Sequence, residues 1–144
     1  MEHTINFGPG ITLTLSWEAK LPHDIDAGYR TVAGTLAVRL EPAGASLKGK
    51  RDVLIDAQML DDFDTALARL LDDLNGSATL EPTRGLGGQG DFAMTIDLAH
   101  GKGSIRGFLA AYYHEARLSF AGYEIDQSYL QETSRQLRSL HAKA

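Results

Sequence analysis

From Ile11 to Trp17 the chain alternates without a break, with Ile11, Leu13, Leu15 and Trp17 on one parity and Thr12, Thr14 and Ser16 on the other. Successive side chains of a strand point to opposite faces, so this is a half-buried strand. The segment EAKLPHDIDAG, with Pro22 and Gly28, reads as an exposed loop. Tyr29 to Leu40 resumes the alternation: Val32, Leu36, Val38 and Leu40 share a parity that includes Gly34, against Thr31, Thr35 and Arg39. EPAGAS is a turn, and Leu47 to Ile55 is a third extended stretch whose polar first half, KGKR, implies a wet end or a sheet edge.

The period then changes. Between Ile55 and Pro82, Leu60, Phe63, Leu67, Leu70, Leu71 and Leu74 recur at three- and four-residue steps, one stripe of an amphipathic helix, while Asp61, Asp64, Asp72 and Asp73 fall largely off it. Asn75-Gly76 supplies residues that tolerate the left-handed conformation at a helix end. Ser77 to Glu81 restarts an extended chain, and PTRGLGGQG is a breaker-rich loop. Phe92, Met94, Ile96 and Leu98 mark a strand ending in a turn at His100-Gly-Lys-Gly103. The returning arm, Ser104 to Tyr113, is apolar on both parities, as a strand covered on both faces would be. In Arg117 to Ile125 the apolar parity changes near Gly122, which predicts a bulge. Gln127 to about His141 is a second helix, capped by Asp126 or Ser128, with Tyr129, Leu130, Thr133, Leu137 and Leu140 on its buried side.

No repeat, low-complexity run or linker is visible, so residues 1–144 read as a single α+β domain. The order is three strands, a helix, four strands and a helix. Hairpin spacing predicts a single antiparallel sheet of about six to seven strands with both helices packed on one face.

Composition narrows the function. The chain has no Cys, which excludes thiolate catalysis, disulfides and Cys-based zinc sites. Its start, MEHTINFGPG, has neither a basic cluster nor an apolar run, and no window approaches the roughly 20 apolar residues of a membrane span. A cytoplasmic location with no membrane partner is expected. The net charge of −5 argues against nucleic-acid binding and suits a basic protein partner.

The candidate motifs carry little chemistry. Gly85-Leu-Gly-Gly-Gln-Gly90 matches GxGxxG, but a strand rather than a helix follows it, so no helix terminus faces a phosphate. The aspartates around the first helix are scattered by its straight axis and lack the turn of a calcium loop. His3, His23, His100, His114 and His141 show no paired metal spacing. Tyr112-Tyr113-His114-Glu115 could pair an acid with a base, but no nucleophile accompanies it. Neither metal nor cofactor is expected, and no catalytic residue is assigned.

Three stretches are similar to the WapI-like immunity proteins, small bacterial proteins that neutralise the toxic C-terminal domain of polymorphic toxins. These are LARLLDDLNGSATLEP within Met59–Pro82, the hairpin Gly101-Lys-Gly-Ser-Ile-Arg-Gly107, and LSFAGYEIDQSYLQETSRQLRSL from Leu118 to Leu140. The likeness spans about Val53 to Leu140 and departs from the family pattern at Ser104, where a His is expected. It implies a cytoplasmic, non-enzymatic inhibitor that occludes a toxin domain, for instance a basic nuclease. The interface expected for that role is the acidic face of the first helix, Asp61, Asp64, Asp72 and Asp73, with Tyr112 and Tyr113 as aromatic anchors. The alternatives are a ligand-binding or enzymatic α+β domain with a pocket between sheet and helices, and a homodimer joined through sheet edges or a bare sheet face.

Overall fold

The computed structural model of the chain describes residues 2–16, 31–41, 45–82, 92–111 and 116–142. Along them run β1 (Glu2–Gly8), β2 (Ile11–Ser16), β3 (Thr31–Leu40), β4 (Leu47–Asp56), α1 (Ala57–Asp73), β5 (Gly76–Leu80), β6 (Phe92–Ala99), β7 (Lys102–Ala110), β8 (Arg117–Ile125) and α2 (Gln127–Ala142). The class is α+β, but the strands among the described residues fall into two antiparallel sheets, in the orders β1-β2-β3-β4 and β5-β6-β7-β8, instead of the single sheet expected. Alternation tells which side chains face a core. It does not tell whether strands on either side of a helix pair with one another, and here α1 separates two meanders.

The chain is thus a ββββα unit traversed twice among the described residues, a repeat that composition does not betray. One trace of it is in the sequence: Ile55-Asp56, Leu60, Leu67 and Leu70 of the first unit return at a constant offset as Ile125-Asp126, Leu130, Leu137 and Leu140 of the second. Ile55 and Ile125 are both buried, as are Leu67 and Leu137. In each unit the last strand therefore delivers an isoleucine to the core immediately before its helix begins.

The helices pack crosswise. α1 follows the first sheet but lies chiefly against β5 of the second, and α2 follows the second sheet but lies against β1 of the first. The inner faces of both sheets and the buried sides of both helices share one hydrophobic cluster. Phe7 of β1 meets Phe63 of α1 edge to face, ring centroids 5.6 Å apart, and a Cβ on Gly8 would lie 2.8 Å from Ile125 and 2.9 Å from Ile105. Burying each large side chain contributes roughly 1.5–3 kcal/mol, so α1, with Met59, Phe63, Leu67 and Leu70 buried, anchors the centre. Leu60 and Leu71 are only partly buried and Leu74 is 39% exposed, a narrower stripe than the leucine spacing suggests.

α2 is held differently. Its buried side carries Leu130 and Leu137, but also Thr133 and Ser134, while Tyr129, expected inside, is exposed. Polar bonds to β1 make up the difference. Gln136 Oε1 accepts from the Asn6 amide at 2.7 Å, Thr133 Oγ1 donates to the Asn6 carbonyl at 2.5 Å, and His3 Nε2 donates to the Gln136 carbonyl at 2.8 Å. Because a carbonyl only accepts, that last bond places the His3 proton on Nε2. Among the described residues β1 is the end strand of its sheet, and α2 satisfies the Asn6 amide and carbonyl on that edge.

Local features follow the sequence more closely. Asp126 caps α2 by accepting the Ser128 amide at 3.0 Å, which selects it over Ser128 itself. His100 and Gly101, at φ 52° and 79°, form the tight turn between β6 and β7. The register of β7 against β8 slips between Ile105 and Gly107, which pair with Tyr123 and Phe120, so β8 bulges beside Gly122 as expected. At the end of α1 the left-handed residue is Leu74, at φ 55°, ahead of the Asn75-Gly76 pair; Gly76, at φ 127°, then opens β5.

Candidate functional site

The acidic face of α1 forms as its spacing requires. At about 100° per residue, Asp72 returns to within about 20° of Asp61, Asp64 falls about 60° to one side and Asp73 about 120° to the other. Met59, Phe63, Leu67 and Leu70 occupy the opposite side and are buried. Asp61, Asp72 and Asp73 are exposed and Asp64 is half-buried. Asp62 is exposed as well, its Oδ1 accepting from Gln58 Nε2 at 2.6 Å. Against these five carboxylates α1 carries one cation, Arg69. The helix therefore carries two acidic groups, Asp61, Asp62 and Asp64 towards its start and Asp72 and Asp73 at its end, with Asp61 and Asp72 about 16 Å apart at a rise of about 1.5 Å per residue. Tyr112 and Tyr113, the expected aromatic anchors, lie outside the described residues, as do His114, Glu115 and the glycines of Gly85–Gly90.

A second feature was not anticipated as a site. A groove of about 550 Å³ separates β4 from the end of β7 and the start of β8. Gly49, Lys50, Arg51 and Asp52 form one wall; Leu109, Ala110, Ala111, Ala116, Arg117 and Leu118 form the other. Four consecutive residues of a strand point alternately to its two faces, so the first wall is the strand edge itself. Arg51, on the inward parity, crosses to donate from an Nη1 hydrogen to the Ala110 carbonyl at 2.7 Å. The Arg117 guanidinium sits 3.7 Å from the centroid of the Phe108 ring, a cation–π contact that fixes its position. The absence of a side chain at Gly49 lets the two sheets approach here, for a Cβ would stand 2.6 Å from Leu118.

The outer faces of both sheets are hydroxyl-rich. Thr4, Thr14, Thr35 and Asp52 occupy one register across the first sheet, with side-chain bonds Thr4–Thr14 (3.1 Å) and Thr35–Asp52 (3.2 Å). On the second sheet Asp97 accepts from Ser77 Oγ at 2.5 Å and Arg106 Nε at 2.8 Å. Burial works to raise the Asp97 pKa, but the hydrogen bonds from Arg106 and Ser77 and the Arg106 charge outweigh it and hold the carboxyl below its ordinary value. These ladders cross-link strands.

Among the described residues no three His, Asp or Glu side chains are grouped as metal ligands, and no helix is long and apolar enough to cross a membrane. Compared with family models, curated proteins and solved structures, the chain matches none.

Proposed function

We propose that this protein is a cytoplasmic, non-enzymatic inhibitor of the immunity type, which binds the toxic domain of a polymorphic toxin and occludes its active site. The observation that carries the reading is the acidic face of α1: Asp61, Asp62, Asp64, Asp72 and Asp73 on a helix whose other side is locked into the core. Charges on a rigid element act at fixed positions, so two acidic groups at a set separation steer a basic partner and set its register. The likeness of the Val53–Leu140 region to WapI-like immunity proteins supports the same role, with a basic nuclease domain as the partner that suits the charge.

The test begins with the reading frame immediately upstream of the gene and its C-terminal domain. Cells producing that domain should survive only when this protein is co-produced, and the purified pair should bind with an affinity that falls as salt rises. Replacing Asp61, Asp64, Asp72 and Asp73 by Lys should weaken binding by more than about tenfold and flatten its salt dependence. Absence of protection overturns toxin neutralisation. Protection with undiminished binding by the four-residue variant moves the interface off α1.

A further inference from the structure

We propose that α2 is a detachable latch exchanged between two copies of this chain. It opens at Ile125–Asp126, leaves its own β1 and seats on the β1 of a second copy, which returns its own α2. The inference is independent of the toxin-binding role given to α1.

α2 is attached to one part of the fold and held by another. Asp126 alone separates it from β8, whereas it lies chiefly against β1 and less extensively against α1. Ile125 ends β8 in the core, packed so closely on Gly8 and Gly103 that a Cβ at either would stand 2.8 Å from its side chain. Asp126 belongs to the helix instead, its Oδ1 accepting the Ser128 amide. Anchor and cap are therefore adjacent residues, and a change of backbone angles between them swings α2 without undoing the β8 pairing or the helix. Gln131, Arg135 and Arg138, on the other side of α2, are exposed, so the helix lies at the molecular surface.

The contact itself can be broken and remade. Leu130 and Leu137 are buried beside two polar residues, Thr133 and Ser134, and bonds from Thr133, Gln136 and His3 join the helix to β1. Thr133 has a second acceptor: its hydroxyl lies 2.5 Å from the Asn6 carbonyl and 2.8 Å from the Tyr129 carbonyl within α2, with one proton to give. Gln136 likewise reaches Glu132 Oε1 on its own helix through Nε2, at 3.2 Å. A lifted α2 thus keeps partners for both side chains and loses the burial of its leucines, while β1 loses the partners of the Asn6 amide and carbonyl. An α2–β1 pair restores both. A second copy offers the same pair in the same geometry, so the exchanged dimer contains every contact of the closed chain twice. The crosswise packing shows the step within one chain, since each helix already lies chiefly on the first strand of the unit it does not follow. α1 stays with its own copy, so the dimer carries two acidic helix faces.

The test is to unfold the intact chain in urea, refold it at increasing protein concentration and read its mass by light scattering. While the dimer is the minor species, its fraction should rise about tenfold for each tenfold in concentration, with the far-ultraviolet dichroism of the monomer. The chain has no Cys, so two single replacements identify the contact. Unlabelled Asn6→Cys and heavy-isotope-labelled Thr133→Cys copies are refolded together and treated with a short bis-maleimide. Mixed-isotope links between the two replaced positions should appear in the dimer. Gln136→Ala weakens the same contact equally in the closed chain and in the dimer. It should therefore leave the dimer fraction unchanged to within about twofold while speeding the approach to equilibrium. A chain that stays monomeric at every concentration overturns the exchange. So does a dimer without those links, or one whose fraction falls by about tenfold or more with Gln136→Ala, as an ordinary interface between closed chains would.

Discussion

At Leu74 the backbone turns to φ 55° to end α1, its amide donating to the Leu70 carbonyl at 2.9 Å. A side chain in this left-handed conformation costs about 1–2 kcal/mol, and with 39% of Leu74 exposed its burial offsets only part of that. Leu74→Gly should therefore raise stability by about 0.5–1 kcal/mol, read from the urea midpoint. Gly10 presents the opposite case. It sits at φ 80° in the turn between β1 and β2, its carbonyl accepts the Arg39 amide at 2.7 Å, and a Cβ would collide with the Arg39 carbonyl. Gly10→Ala should lower stability by about 1–3 kcal/mol.

Asp97 gives a pH signature. Its native pKa lies below the ordinary carboxylate value near 4, so the unfolded chain takes up the proton first as pH falls. Its contribution is complete above about pH 4 and disappears as pH drops through the depressed native value. Asp97 is partly exposed, so the amount is below about 1 kcal/mol. Asp97→Asn should lower stability at pH 7 and leave it nearly unchanged at pH 2.5, measured by urea unfolding at both.

Among the elements, α1 was the most legible, because its leucine spacing specifies both the helix and its buried side. The KGKR run of β4 reads as a wet end or an edge, and among the described residues β4 is the end strand of its sheet. β1 was missed. Its alternation, His3, Ile5 and Phe7, is short and begins with an imidazole, yet all three are buried because α2 supplies the carbonyl that His3 needs. Partners separated by more than 100 residues leave no local pattern. The β1–α2 contact is correspondingly testable: Gln136→Ala removes the acceptor of the Asn6 amide and should cost about 1 kcal/mol while speeding exchange at that amide.

At the scale of the molecule, the crosswise helices decide how the two ββββα units depend on each other. Each helix lies chiefly against the other unit, α1 along β5 and α2 along β1, while Phe63 of α1 also packs on Phe7 of its own unit. Heat or urea should therefore unfold both units in one transition, with far-ultraviolet dichroism and the exchange of β1 and β6 amides reporting the same midpoint. Two separate transitions would mean that the shared core of Phe7, Phe63, Ile105 and Ile125 couples the units less than its burial implies. The two-sheet arrangement was hidden in the sequence for a related reason. The pairing break falls at α1, and each hairpin on either side of it reads the same in one sheet or two. The acidic surface of α1 was legible because a helix converts spacing directly into a face. The groove beside β4 was not, since its walls come from segments distant in the chain, brought together at Gly49 and by the Arg51–Ala110 bond.

The bond between Asn6 and Gln136 also has a consequence during synthesis. The two residues are 130 positions apart, so at about 5–20 residues per second the ribosome makes the amide roughly 6 to 26 s before its acceptor. For that interval β1 lacks the bonds that Thr133 and Gln136 supply, and unlike β4 it carries no lysine. Translation speed and holding chaperones should therefore govern the yield of soluble protein through β1, the strand that the last helix to be made covers.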